Sequence, residues 1–477
     1  MERSMSAHAA FSARLADDGR DLPLTRRLAG FIGEGQVDAF AQRRAVAVIV
    51  DTLAVTIAGG AEPAVRLLAR SLDPRQDGEV ASLWGAAYRA DDAALLFGMA
   101  SHILDYDDVS MLAVCHPTAP VLSAALSAVP WHDLSGRDLA DAVAIGTEVM
   151  IRLGQAMGFR HYALGFHATA TLGTIGATAA AARLMRLDQA KIVHALAIAA
   201  SLASGLRKNF GSMVKSLHVG LAASNGLKAA RWAAAGIEGA AEPLEQDGFL
   251  RAFSGGETDR WPSDLSLGSP FVLTEPGFEQ KRYPCCYLLH RMIEATLAMV
   301  RETGVGLADV AAARVDMPPG GTRPLIHPFP KSGLNALFSA PYAIVASLAD
   351  RRIDLKSFTD AAVLRPEIQA RLGDVDVVEA AGTSLQGADV GSAPVTVTLT
   401  LRDGARLAKT ILVSPGSVED PLTPAQLEAK WTDCLERAAP GIDSATAARL
   451  FAQGFDLAAL PRVSDWLAGL RHAVSAA

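Results

Sequence analysis

The sequence predicts a mainly α-helical protein, in which a large all-α domain carries a smaller α+β lid domain. Three observations support this fold class. Alanine is abundant while aromatic residues make up only 6% of the chain, which favours closely packed helices. Helical periodicity runs from about Val37 to Gly255, and strand patterns begin only after Trp261-Pro262. At 477 residues the chain also exceeds the size of a single ordinary core.

The helices of the first part are predicted from apolar residues at helical spacing, bounded by Gly, Asp or Pro. Gly59-Gly60 supplies a C-terminal stop signal for the first of them, and Asp188 supplies an N-cap for the fifth. The predicted helices cover residues 39–57, 90–104, 139–157, 169–185, 189–206 and 217–235.

Strand signals mark the second part, where proline and glycine become frequent. Asp403-Gly404 between two alternating runs predicts a β-hairpin. The predicted strands cover residues 313–317, 375–378, 395–401 and 407–413, and the predicted helices cover residues 288–302, 340–349, 424–438 and 444–452. We therefore expect the all-α domain to comprise residues 1–265 and 417–477, and the lid to comprise residues 266–416.

Composition excludes several classes of protein. The net charge is −7 and the basic residues are dispersed, which argues against a nucleic-acid surface. Two segments without formal charge, residues 109–131 and 161–182, contain Pro, Gly and Thr and are better explained as buried helices than as membrane spans. Four cysteines in so long a chain make no disulfide framework, and no signal peptide is visible. We expect a cytoplasmic protein with no membrane or nucleic-acid partner.

An acidic stretch is the first candidate for chemistry. His102, Asp105, Asp107 and Asp108 lie within seven residues, and His116 follows before a proline. Their spacing matches no standard metal motif, so no metal is expected. Asp107 and Asp108 have a plain alternative role in capping the next segment. Asp105 is predicted to hold the His116 imidazole in one tautomer, an arrangement typical of acid/base catalysis.

Cations and imidazoles in apolar, Ala/Gly-rich surroundings form the second group. His167 and Thr169 lie where a loop enters a helix, a favourable place for a carboxylate. A buried lysine must be paired or face an anion, which makes Lys208 and Lys215 candidates, with a surface loop as the alternative. The Lys281-Arg282 pair lies near the expected domain junction, where ligand clefts form; a surface salt bridge is the alternative for Arg282.

These motifs, in this order, resemble the MmgE/PrpD family. The resemblance extends over nearly the whole chain and is carried by the following segments: Asp51-Thr52-Leu53-Ala54, residues 105–116, Gly165-Phe166-His167, Lys215-Ser216-Leu217-His218, Lys281-Arg282-Tyr283-Pro284, Phe338-Ser339-Ala340-Pro341-Tyr342 and Asp420-Pro421-Leu422. It implies a helical domain with a lid, a homodimer, no cofactor, and a small polycarboxylate substrate. Two departures stand out, because Val109 and Leu337 occupy positions that are often threonine and basic in the family.

The resemblance also implies roles for individual residues. Lys215 and Lys281 would stabilise a carbanion or enediolate next to a carboxylate, since cations placed where charge develops lower the barrier. His116 and His167 would transfer protons, and Asp105 would orient an imidazole. Three further residues are expected to bind the substrate: Lys208, Arg282 and Thr169. Tyr342, carried by the lid, is expected to face the histidines and to donate a proton or hold a carboxylate.

The reaction has several candidates. The first expectation is a dehydratase, a carbon–oxygen lyase of the 2-methylcitrate dehydratase type. An epimerase acting on an iminodisuccinate-like dicarboxylate is the alternative, and a decarboxylase is a further one. A binding protein without catalysis is the remaining possibility, and the presence of both histidines, both lysines and the tyrosine argues against it.

Overall fold

The computed structural model describes residues 22–74, 78–257, 266–385 and 387–475. Most of these residues are helical. The long helices, numbered in chain order, are α1 (Leu24–Glu34), α2 (Ala39–Gly59), α3 (Pro63–Ser71), α4 (Ala90–His102), α5 (Thr118–Ala128), α6 (Gly136–Met157), α7 (Ala168–Leu184), α8 (Gln189–Leu202), α9 (Met213–Ala234), α10 (His290–Thr303), α11 (Ala340–Asp350), α12 (Pro424–Ala438), α13 (Ser444–Phe455) and α14 (Ser464–Ser475). Shorter helices cover Arg160–Ala163, Phe249–Phe253, Gly333–Ala336, Asp360–Val363, Pro366–Gln369 and Ala388–Ser392.

The centre of the helical part is a tight crossing of α4 and α9, and α9 also packs against α7. Glycine makes the crossing possible. A Cβ on Gly98 would lie 2.7 Å from the Cα of Gly220, and one on Gly220 would lie 2.3 Å from the carbonyl oxygen of Leu95. Real Cβ atoms do not come so close, so the two helices meet backbone to backbone. This contact brings the C-terminal end of α4 near the N-terminal end of α9.

The helix predictions for the first part are confirmed, with ends shifted by a few residues. The fifth predicted helix ends at Leu202 rather than residue 206, because the chain leaves helical geometry at Ala203. Four long helices were not predicted individually: α1, α3, α5 and α14. The missed helix α5 lies in the charge-free segment, where an apolar run with no polar face carries no periodic signal.

The strand predictions are confirmed, including the hairpin. The strands are β1 (Val80–Ala81), β2 (Ala87–Tyr88), β3 (Val310–Met317), β4 (Val375–Glu379), β5 (Val395–Leu401) and β6 (Arg406–Ile411). The last four form one sheet in the order β4-β3-β5-β6, with β3 and β4 parallel and the other pairs antiparallel. Gly404 takes φ +88° in the turn between β5 and β6, a conformation that glycine adopts without steric cost.

Two large hydrophobic clusters are present among the described residues. The first unites α1–α9 with the C-terminal helices, since α12 packs against α2 and Trp431 is fully buried there. The second lies between the four-stranded sheet and helices α10 and α11. The Trp261-Pro262 boundary falls outside the described residues, so the domain limits at 265 and 416 stay predictions. In the described ranges, no single helix has the length and hydropathy to cross a membrane, although the bent pair α2–α3 passes the same test together.

Candidate active site

Four chain segments bring charged side chains to one place. The loop after α4 carries Asp105, whose backbone has the left-handed φ of +47° that aspartate tolerates better than most residues. His116 lies two residues before the start of α5, and His167 is the N-cap residue of α7. Lys215 lies in the first turn of α9. The α4–α9 crossing therefore places the acidic loop beside the lysine.

Asp105 binds two buried ammonium groups. Its Oδ1 accepts hydrogen bonds from Lys215 Nζ at 3.0 Å and from Lys281 Nζ at 2.8 Å. Lys281 also donates to the Asp105 carbonyl oxygen at 2.7 Å and has no exposed surface. Burial alone would raise the pKa of Asp105, but the two ammonium groups override it and hold the pKa far below its usual range. This carboxylate is therefore ionised and fixes both lysines.

Asp107 holds the imidazoles. Its Oδ2 lies 2.8 Å from His102 Nδ1 and 3.2 Å from His116 Nδ1, and Asp105 Oδ1 lies 3.6 Å from His116 Nε2. Burial would raise the pKa of Asp107, but the histidines hold it well below its usual range. An ionised carboxylate can only accept, so His102 donates from Nδ1. This fixes the tautomer of the His102 ring.

The imidazoles are neutral at pH 7. Burial lowers the pKa of His102 to about 3, against the opposing effect of Asp107. Burial is also the main cause that lowers the pKa of His116, and it lowers the pKa of His167 well below the usual value, helped by neighbouring cations and histidines. His167 Nδ1 is 3.3 Å from His218 Nδ1, so one ring donates to the other. Neutral imidazoles beside ammonium groups can accept and return protons.

These groups open onto a cavity with an empty volume of about 750 Å³, including its mouth. The lining comes both from the helical part and from the part that carries the four-stranded sheet. Six predicted residues line it: Asp105, His116, His167, Thr169, Lys215 and Lys281. Thr169 Oγ1 accepts a hydrogen bond from the backbone N–H of His116 at 3.1 Å, which ties the two loops together.

Two residues assigned to substrate binding lie elsewhere. Lys208 is exposed in a short 3₁₀ turn before α9, in which none of the three residues is buried. Arg282 is half-buried and does not line the cavity; its backbone oxygen accepts the Tyr106 hydroxyl at 3.2 Å. The placement of both residues in the substrate site is therefore corrected. For Arg282, adjacency in sequence to Lys281 did not carry the side chain into the cavity.

The expectation that Tyr342 faces the histidines is also corrected. Its side chain is fully buried in the second hydrophobic cluster and does not line the cavity. Its hydroxyl donates to the backbone oxygen of Ser357, and its ring packs against Phe358. The residue lies at the start of α11, which is buried on nearly all sides, so the sequence pattern does not show which way the ring faces.

Replacing Tyr342 with phenylalanine is therefore expected to affect stability and to leave kcat unchanged. The variant loses a buried hydroxyl and leaves the Ser357 carbonyl without that donor, which typically costs about 1–3 kcal/mol. Denaturant unfolding and steady-state kinetics on the same preparation check both statements. A fall in kcat of tenfold or more, with unchanged stability, would return Tyr342 to the reaction.

Several residues around the site were not predicted. The Lys430 ammonium lies behind the cavity, 2.7 Å from Asp51 Oδ1, and donates to the backbone oxygens of Tyr106 at 2.8 Å and Lys281 at 3.2 Å. It thus ties α2 and α12 to both segments that carry the charged groups. Arg323 also lines the cavity, and this residue is exposed. Lys430 lies outside the quoted motifs, eight residues after Asp420-Pro421-Leu422, so only its place on the buried face of α12 could have drawn attention to it.

One group of side chains could offer ligands to a metal ion. Ligand atoms of His102, Asp105, Asp107 and His116 all lie within 4.8 Å of one another. The chemistry of this set argues against a divalent cation, because Asp105 Oδ1 already accepts from two ammonium groups. A cation at that oxygen would lie within a few ångströms of both positive charges.

Curated relatives of the chain carry one recurring activity in their names. The chain is 30% identical over 354 residues to the human protein named cis-aconitate decarboxylase, and this aligned stretch covers 71% of each sequence. It is 30% identical over 351 residues to the mouse protein of the same name, covering 70% of each. A protein of Aspergillus oryzae named cis-aconitate decarboxylase-like protein oryM is 24% identical over 444 residues, covering 86% of this chain and 89% of the relative.

These relatives correct the expected reaction. The sequence favoured a hydro-lyase, with an epimerase second, but the matching proteins are named as decarboxylases, which cleave carbon–carbon rather than carbon–oxygen bonds.

The family itself is shown by two matches that together span most of the chain. Residues 26–262 match the MmgE/PrpD N-terminal domain, and residues 283–452 match the MmgE/PrpD C-terminal domain. Between the two matched stretches lies Lys281, and the cavity draws its lining from both. The chain belongs to the MmgE/PrpD family.

Proposed function

We propose that this chain is a decarboxylase that acts on a small unsaturated polycarboxylic acid of the cis-aconitate type. The observation that carries the proposal is the pair of buried ammonium groups, Lys215 and Lys281, that share one carboxylate at the wall of a largely apolar cavity. Two neutral imidazoles, His116 and His167, lie at the same wall. The decarboxylases among the curated relatives support the reaction class.

The chemistry of the acid explains why cations are needed. In cis-aconitate the carboxylate on the methylene carbon is separated by a C=C bond from a second terminal carboxylate. When CO₂ leaves, the electron pair of the broken bond forms a new C=C bond. The former π electrons move toward the second carboxylate and give a dienolate with an extra negative charge. Ammonium groups aimed at that charge stabilise it, and losing one such donor typically lowers the rate by about 10²–10³.

The reaction ends with a proton. The dienolate takes one at the carbon next to the second carboxylate, which gives a terminal C=CH₂ group. His116 is a suitable donor once its imidazole has taken up from solvent the proton that the reaction consumes, since Asp107 and Asp105 lie 3.2 and 3.6 Å from its two nitrogens and stabilise a transient imidazolium. His167 is the second candidate, with His218 as its partner. The apolar walls limit competing protonation by water.

Incubation of the purified protein with cis-aconitate in buffer containing EDTA tests the proposal. We expect release of one CO₂ per molecule consumed and new vinylidene proton signals in the NMR spectrum. In D₂O the product should carry one deuterium on the methylene carbon next to the terminal carboxylate. Consumption of the acid without CO₂ release would contradict the proposal. Activity that is lost to EDTA and restored by one divalent cation would show that a metal, not the two lysines alone, carries the charge.

A further inference from the structure

One wall of the cavity is apolar in a way that neither hydrophobic core requires. Val109, Met111, Tyr287 and Val390 form a small cluster of their own, with Leu385 packed against it, separate from the two large clusters. All five residues line the cavity. A cluster of this kind contributes little to either core. It supplies instead an apolar surface that a ligand can cover.

Other parts of the cavity lining are also largely apolar. Phe159, Tyr162, Phe210 and Phe338 contribute aromatic rings to the lining. The Lys215 ammonium lies 5.4 Å and 5.2 Å from the centres of the Phe210 and Phe338 rings, so even a cation of the site is bordered by rings. The buried charged groups of the lining are thus Asp105, Lys215 and Lys281, and most of the remaining lining offers dispersion contacts rather than hydrogen bonds.

Positive and negative charges balance around the two buried lysines. Two ammonium groups, on Lys215 and Lys281, face two ionised carboxylates, on Asp105 and Asp107, and the imidazoles between them are neutral. Arg323, the arginine in the lining, is exposed, so water screens its charge. An acid with three carboxylates would bring three negative charges into a neutral, mostly apolar site. An acid with two carboxylates and an apolar group fits this distribution better.

The reaction itself does not require the third carboxylate. In the decarboxylation of cis-aconitate, one terminal carboxylate leaves as CO₂ and the other receives the electrons. The carboxylate on the central carbon takes no part in this electron flow. An alkyl group at that carbon would leave every bond change intact: the C–CO₂ bond breaks, the C=C bond shifts, and one proton is added.

We propose that the acid for which this site is built carries an alkyl group in place of the central carboxylate of cis-aconitate, with that group covered by the Val109, Met111, Tyr287 and Val390 wall. The inference rests on the proposed decarboxylation. The substrate class is thus the unsaturated dicarboxylates with one saturated hydrocarbon substituent, that is, glutaconates substituted at the central carbon.

A homologous series tests this substrate class. The probes are cis-aconitate and the glutaconates with methyl, propyl or pentyl on the central carbon, assayed by CO₂ release. Each glutaconate is the isomer in which the alkyl group lies cis to the carboxylate on the double bond, where cis-aconitate has its central carboxylate. We expect kcat/KM to rise about fourfold per added methylene, the ratio that corresponds to about 0.8 kcal/mol for each buried CH₂, and to exceed the value for cis-aconitate. A kcat/KM that falls with chain length, with cis-aconitate preferred throughout, would overturn the inference and leave the decarboxylase proposal standing.

Binding separates the two proposals. If calorimetry shows affinity rising with chain length while no acid releases CO₂, the apolar subsite stands and the proposed reaction fails.

A matched pair of variants tests where the subsite lies. Val109→Thr adds one hydroxyl to the wall at nearly constant shape, and we expect it to lower the pentyl-to-methyl ratio of kcat/KM at least fivefold. Val377→Thr makes the same change on β4, away from the cavity, and should leave the ratio unchanged; equal ratios in both variants would overturn the assignment of the wall.

Discussion

Replacement of Lys215 by methionine is expected to lower kcat by about 10²–10³ while the protein stays folded. Lys215 contributes one of the two ammonium groups that we expect to stabilise the dienolate. Methionine keeps much of the apolar stem that packs near Phe210 and Phe338. Asp105 keeps its second partner, because Lys281 lies 2.8 Å from the same oxygen. Single-turnover kinetics with cis-aconitate or its best alkyl analogue, together with a thermal unfolding curve, check the prediction.

Lys208 provides the matched control for Lys215. It lies seven residues earlier in the chain but is exposed and does not line the cavity. The Lys208→Met variant should therefore keep the wild-type kcat and KM. Equal losses in both variants would point to a long-range electrostatic effect on substrate capture, and a wild-type kcat for Lys215→Met would remove this lysine from the reaction.

Much of the fold follows from the sequence because its signals are local. The hairpin from Val395 to Ile411 is specified by alternation and by a turn dipeptide, and it forms with the predicted pairing. The α4–α9 crossing is different. It depends on Gly98 and Gly220 meeting across more than a hundred residues, and no local pattern reports that encounter. Helix α5 was missed for a related reason, since ten of its eleven residues are buried and it lacks a polar face.

The predictions for the site also succeeded where the signal was local and failed where it depended on tertiary contacts. The residues that converge were predicted because charged groups in apolar surroundings are costly unless they meet a partner. The identity of the partner is a tertiary fact: the sequence suggested that Asp105 orients a histidine, whereas its closest contacts are Lys215 and Lys281. Tyr342 shows the limit of the family resemblance. Its position in a motif was clear, but the direction of its ring is decided by the packing of α11 against the sheet.

The Asp105→Asn variant is expected to lose both activity and about 3–5 kcal/mol of stability, because it removes the charge that compensates two buried ammonium groups. Asparagine tolerates the left-handed backbone at this position and has nearly the same shape as aspartate. The losses of activity and stability therefore report the removal of the charge alone. Glu302→Gln makes the same chemical change in an exposed pair with Lys409 and should cost about 0–1 kcal/mol. Urea unfolding of the two variants checks the difference, and comparable losses in both would contradict it.

The pH dependence of the Asp105→Asn variant gives the sharper test. In the wild type, burial would lower the pKa of Lys281, but Asp105 and Asp107 reverse this and raise it, so its contribution to stability is lost only as pH rises through that raised pKa. In the variant, burial prevails and the folded pKa falls below the unfolded one. The unfolded state then binds more protons, and stability rises with pH. The stability gap between variant and wild type should therefore narrow between about pH 7 and pH 10. A gap that stays constant across this window would show that the buried ammonium groups are compensated by something other than Asp105.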